Sequence, residues 1–65
     1  MFNPGDLVGF IEQDDWGESK LTEERGVVIS CNHQCGKAEV LWTEGSRGIE
    51  FFEDLKLIAY GRQND

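Results

Sequence analysis

Cys31-Asn32-His33-Gln34-Cys35 sets two thiols and the chain's single imidazole within five residues, the densest group of soft ligands in the 65-residue sequence. Zinc takes such donors, but structural sites use four of them, commonly as separated pairs. No other Cys or His exists to complete the set. The spacing therefore predicts a hairpin tip with one buried and one semi-exposed thiol, and neither metal nor cofactor. A disulfide across that hairpin lies within geometric reach, yet a small secreted scaffold spreads more cysteines along the chain to staple its loops. Reduced thiols are expected.

The aromatic residues offer a second chemistry. Trp16, Trp42, Phe10, Phe51, Phe52 and Tyr60, with abundant carboxylates around them, are the ingredients of a cage for a methylated ammonium group. In so small a core most of them are needed for packing, and Trp42, between Val40 and a turn, reads as a wall of the fold. Trp16 sits instead in Asp14-Asp15-Trp16-Gly17, a polar setting that suits a contact residue. Catalysis finds no footing: there is one His, no Ser-His-Asp arrangement and no phosphate-cradling glycine loop. The chain reads as no enzyme.

Six Lys and Arg against thirteen Asp and Glu give a formal net charge of -7, which repels phosphate backbones and anionic membranes. A protein partner, basic or burying an aromatic side chain, fits this balance better than nucleic acid does. Lys20, Arg25, Lys37, Arg47, Lys56 and Arg62 are dispersed in sequence and promise no basic stripe. An acidic mimic of nucleic acid would need carboxylates at phosphate-like spacing over one surface. The plainer reading is a solvated acidic face. No apolar run approaches the roughly 20 residues that cross a bilayer, and Met1-Phe2-Asn3-Pro4 lacks the basic start and apolar stretch of a secretory signal. A cytoplasmic protein without a membrane partner is expected.

The elements that must position these residues are strands. Apolar runs at Asp6 to Glu12, Gly26 to Cys31, Lys37 to Thr43, Ile49 to Glu53 and Lys56 to Tyr60, each closed by Gly, Asn or Asp, predict an all-β domain. Asn3-Pro4-Gly5-Asp6 is a type II turn signal, with proline at the first central position and glycine at the second. Gly9 either admits a large neighbour or marks a bulge. Residues 13 to 25 are too polar and irregular for a buried element and predict a long first loop, with Thr22 to Arg25 suited to one helical turn. Asn32 to Gly36 and Glu44 to Gly48 predict hairpin turns. Alternation along the third run places Ala38, Val40 and Trp42 on one face and Glu39, Leu41 and Thr43 on the other. Glu53-Asp54-Leu55 predicts a 3₁₀ turn before the last strand. Val8, Phe10, Val28, Val40, Leu55 and Ile58 are the expected inward set. One domain over residues 1–61 with a frayed tail at 62–65 follows, the fraying beginning at Gly61.

Pro4-Gly5-Asp6-Leu7-Val8, Gly26-Val27-Val28, Val40-Leu41-Trp42-Thr43-Glu44-Gly45 and Glu53-Asp54-Leu55-Lys56-Leu57-Ile58 together resemble the skeleton of small SH3-like barrels, over most of the chain. The likeness is closest to compact single-domain SH3-like proteins of unknown role from tailed phages and marine metagenomic sequence. A weaker one runs to Tudor, KOW and mind-bomb-type modules, the last partly through Asp15-Trp16-Gly17. The resemblance implies a five-stranded barrel and a binding role for peptides, methylated side chains, RNA or DNA. It also implies a host-cytoplasmic setting if the protein is phage-encoded. KOW-type modules present basic residues, whereas these loops carry Asp14, Asp15, Glu18, Glu23, Glu24, Glu44 and Glu53. The run of tyrosines and the proline of peptide-binding SH3 domains are missing too. The expected function is a non-enzymatic protein-interaction module, with a nucleic-acid-associated phage protein, binder or mimic, as the alternative. Its contact surface is expected where Asp14, Asp15 and Trp16 meet Glu44 and Arg47, as adjacent loops sharing one patch.

Overall fold

The computed structural model of the chain describes residues 2–61, which form five antiparallel strands and one 3₁₀ turn. In chain order they are β1 (Leu7–Gln13), β2 (Ser19–Asn32), β3 (Lys37–Trp42), β4 (Arg47–Phe51), the 3₁₀ turn (Phe52–Asp54) and β5 (Leu55–Ala59). The sheet order is β4-β3-β2-β1-β5. No ladder joins β4 to β5, so the sheet stays open and both strands are edges. The expected barrel closure is not made among the described residues.

The N-terminal turn forms as its sequence requires. Gly5 takes φ 95°, which a side chain would resist, and Asp6 N–H donates to Asn3 O at 3.1 Å. Gly5 N–H donates to Val28 O at 2.8 Å and Val28 N–H to Asp6 O at 2.9 Å, which seats the turn on β2. The alternation read along β3 is present: Ala38, Val40 and Trp42 are buried while Lys37 and Leu41 are exposed. With Val8, Val28 and Leu55 they make the core, and Phe2, Phe10, Cys31 and Phe52 pack against it. The Phe10 ring meets Trp42 edge-on, centroids 6.1 Å apart, an arrangement aromatic quadrupoles favour.

The long first loop is corrected. Residues 13 to 25 form the distal half of a hairpin in which Ile11 faces Leu21, Glu12 faces Lys20 and Gln13 faces Ser19. The turn is built by Asp14, whose Oδ1 accepts from Trp16 N–H and Glu18 N–H at 2.9 Å each, with Gly17 at φ 80°. The helical turn expected at Thr22 to Arg25 is a bulge: between Gly9 and Ile11 the register on β2 advances from Arg25 to Leu21. Thr22 Oγ1 holds it by donating to Phe10 O at 3.0 Å. Both readings of Gly9 hold, because the register shifts beside it and a Cβ there would stand 2.7 Å from Leu21 Cδ1.

Four further expectations shift. Ile58 does not point inward; it is 38% exposed, since the β1–β5 register passes from Leu7↔Ala59 to Val8↔Leu57 and leaves Ile58 in a bulge. The 3₁₀ turn begins at Phe52, one residue early, and β4 spans Arg47–Phe51 rather than Ile49 to Glu53. Phe52 leaves the strand to pack its ring 5.4 Å from that of Phe2. Gly61 is anchored, its N–H donating to Asp6 Oδ1 at 2.9 Å, while the tail read at 62–65 lies outside the described residues.

Val40 is fully buried between Val28 on β2 and Gly48 on β4. Val40→Ala removes that packing and leaves a cavity, and is expected to cost about 1–3 kcal/mol in chemical denaturation. A melt unchanged by the substitution would mean that β3 has the other register.

Candidate functional site

Two surface regions carry the residues singled out for contact, and the sheet topology keeps them apart. Both lie at the same end of the molecule, since β1–β2 and β3–β4 turn there. Thr43 N–H donating to Arg25 O at 2.9 Å is where β3 ends its hold on β2. β5 accompanies β1 as far as Phe10, opposite Leu55, and the β1–β2 hairpin then runs on alone from Ile11 to Gln13, about 7 Å at strand rise, before its turn. The overall extents of 42 × 26 × 24 Å agree with that projection.

Trp16 sits at the tip, 90% exposed. Asp14 supports it from below through the turn bonds, and Asp15 and Glu18 are exposed beside it. Glu44 and Arg47 are at the base instead. Glu44 Oε1 accepts from Ser46 Oγ at 2.6 Å, and Arg47 Nη1 lies 4.0 Å from Glu39 Oε2. Among the described residues no hydrogen bond, ion pair or shared groove joins Asp14, Asp15 or Trp16 to Glu44 or Arg47. Hairpin elongation, which the polar sequence of residues 13 to 25 hid, is the reason.

Glu44 and Arg47 border a shallow groove of about 300 Å³ that sequence reasoning missed, with Phe10 and Trp42 as its apolar floor and Glu24 and Glu50 on its walls. Gly48 keeps it open: a Cβ there would stand 2.9 Å from Glu50 Oε2 and 3.4 Å from Trp42 Nε1. Three carboxylates against one guanidinium make the groove acidic. The alternation of Arg47-Gly48-Ile49-Glu50-Phe51 was the available signal, since it sets Gly48 and Glu50 on the core side.

The Cys-His-Cys cluster disperses at the opposite end of the sheet, around the β2–β3 turn. The His33 ring meets that of Phe52 at a tilt of 57° with centroids 5.4 Å apart, Cys31 Sγ donates to Phe2 O at 3.4 Å, and Cys35 is exposed. Asn32 shapes the turn by accepting from Gln34 N–H and Cys35 N–H on Oδ1, at 3.1 and 3.2 Å. Among the described residues no three His, Cys, Asp or Glu side chains gather to hold a metal. Both thiols are free. Burial, and then the negative charge of Asp6, raise the Cys31 pKa above the ordinary thiol value. No helix among the described residues is long and apolar enough to cross a membrane. No family model, curated protein or solved structure matches the chain.

Thiol chemistry checks this placement. Cys35 is expected to react with an aromatic disulfide reagent well before Cys31, which is shielded and holds its proton; equal rates would refute it. The folded state keeps the Cys31 proton at pH values where the unfolded chain has released it, so this contribution is whole below the ordinary thiol pKa. It is lost as pH rises through the raised value, and Cys31→Ser is expected to flatten that alkaline decline. A chelator should leave the melting temperature unchanged, whereas a structural zinc would make it collapse.

Proposed function

We propose that the chain is a small, partly open SH3-like barrel that works as a non-enzymatic, cytoplasmic protein-interaction module for a basic partner. The observation that carries this reading is Trp16, held 90% exposed at the tip of a projecting hairpin. A tryptophan buries about 150–250 Å² at a contact. At about 25 cal/mol per Å² that gives roughly 4–6 kcal/mol before ordering costs. The Asp14 bonds fix the backbone beneath it, so little order remains to be imposed when a partner arrives. Asp14, Asp15 and Glu18 surround the indole with carboxylates, and the formal charge of -7 extends the attraction for a cationic surface. The strand order and the 3₁₀ turn ahead of β5 support the SH3-like part of the reading.

Affinity capture from the native host with wild-type and Trp16→Ala proteins tests it. The variant is expected to melt within about 0.5 kcal/mol of wild type, since its ring packs on nothing. It is expected to lose its protein partner by about tenfold or more in affinity. Association of the wild type should slow as salt is raised. Retention of every partner by folded Trp16→Ala, or capture of nucleic acid in place of protein, would contradict the proposal.

A further inference from the structure

We propose that β4 receives an added strand: an extended segment of a basic protein partner, with apolar and basic side chains alternating, pairs along the free edge at Arg47–Phe51. The inference rests on the interaction-module reading and deepens it, but places the contact away from Trp16.

Among the described residues β4 is paired by β3 alone. At one end of that ladder Trp42 N–H donates to Ser46 O at 2.8 Å, and at the other Phe52 N–H donates to Gly36 O at 2.8 Å. Hydrogen-bonded positions alternate in an antiparallel pair, so Gly48 and Glu50 turn their backbone groups toward β3. Arg47 and Ile49 turn theirs to the open edge, and Phe51 turns its N–H there, its carbonyl being taken up by the 3₁₀ turn that it caps.

The side chains make the two sides of that edge chemically different. On the outer side Ile49 is 64% and Phe51 50% exposed, with Lys37 Nζ 5.0 Å from the Phe51 ring centroid. On the inner side Gly48 offers no side chain, and the groove floored by Phe10 and Trp42 presents Glu24, Glu44 and Glu50. An incoming strand points successive side chains to opposite sides. Apolar residues would lie beside Ile49 and Phe51, and basic ones would enter the acidic groove. A second copy of the chain is a poor occupant, because each copy carries a charge of -7 and would bring its own Glu50 to the same edge.

Edge strands are usually blunted by a bulge, a lysine or a proline. β5 follows that rule, with Lys56 on it and a bulge at Ile58. β4 does not. It has no proline, and its register with β3 runs without a shift from Lys37↔Phe51 to Leu41↔Arg47.

The test titrates the intact protein with a short synthetic peptide of alternating valine and lysine. Controls are a peptide of the same composition in blocks and an alternating valine–glutamate peptide. Binding is expected to slow amide exchange at Arg47, Ile49 and Phe51 and to leave Gly48 and Glu50 as they were. N-methylation of the peptide amides that face β4 should weaken binding by about tenfold or more, and methylation of the intervening amides should not. Ile49→Pro removes a donor that the ladder assigns to no bond within the protein, and should abolish binding while the fold persists. Glu50→Gln should weaken binding and reduce its salt dependence. Absence of binding, protection mapped to β5 or the Trp16 hairpin, indifference to N-methylation, or a dimer of the free chain through β4 would each overturn the proposal. Should it fail while Trp16→Ala still loses its partner, strand addition alone falls and the module reading stands.

Discussion

The Asp6 carboxylate is 2% exposed and is held by backbone donors, with Asn3 N–H on Oδ2 and Gly61 N–H on Oδ1, each at 2.9 Å. Burying a carboxylate is costly unless such donors satisfy it, so this site specifies what surrounds it. The first bond closes the N-terminal turn. The second ties the chain beyond β5 to the start of β1, across 55 residues. A Cβ at Gly61 would overlap the Gly5 carbonyl, so the approach is close enough to require glycine. With its end fastened there, β5 lies along β1, and among the described residues no ladder joins it to β4. The open edge of β4 thus goes with the anchoring of Asn3 and Gly61 on Asp6, which holds β5 at the β1 side of the sheet.

The core divides the labour of the residues sharply. Val8, Val28 and Val40 are wholly enclosed, and β2 comes down on β3 at Gly26, where a Cβ would stand 2.8 Å from the Trp42 ring and 2.9 Å from Leu41 O. Folding therefore consumes the inward positions of β1, β2 and β3. What it leaves unused is a tryptophan on a stalk and a regular strand edge flanked by Ile49 and Phe51. A domain of this size buries only about 60% of the surface of its unfolded chain, so much apolar surface stays outside by necessity. Its gathering at positions fixed by Asp14 and by an unshifted ladder is what points to recognition.

Where a strand is half buried, the sequence is legible, as β3 shows through Ala38, Val40 and Trp42 and the first turn through Pro4 and Gly5. Where a strand projects into water, alternation disappears. Ser19 to Arg25 has no buried face to mark it, and only Asp14, Gly17 and the facing of Glu12 with Lys20 betray a hairpin. Ile58 leaves the inward set because a bulge turns it out, and a bulge answers to the neighbouring strand rather than to its own residues. The same limit governs the site. Trp16 stands out by its company in sequence, but its separation from Glu44 and Arg47 depends on hairpin length. The free edge of β4 goes with the anchoring at Asp6 and Gly61, far from it in the chain.

Residue-by-residue amide hydrogen exchange of the free protein along β4 tests the central claim, an open and regular edge, most directly. Gly48 and Glu50, bonded to β3, are predicted to exchange slowly, while Arg47, Ile49 and Phe51 between them exchange fast. Uniform protection across all five amides would contradict the account, because it would mean that the edge is already paired.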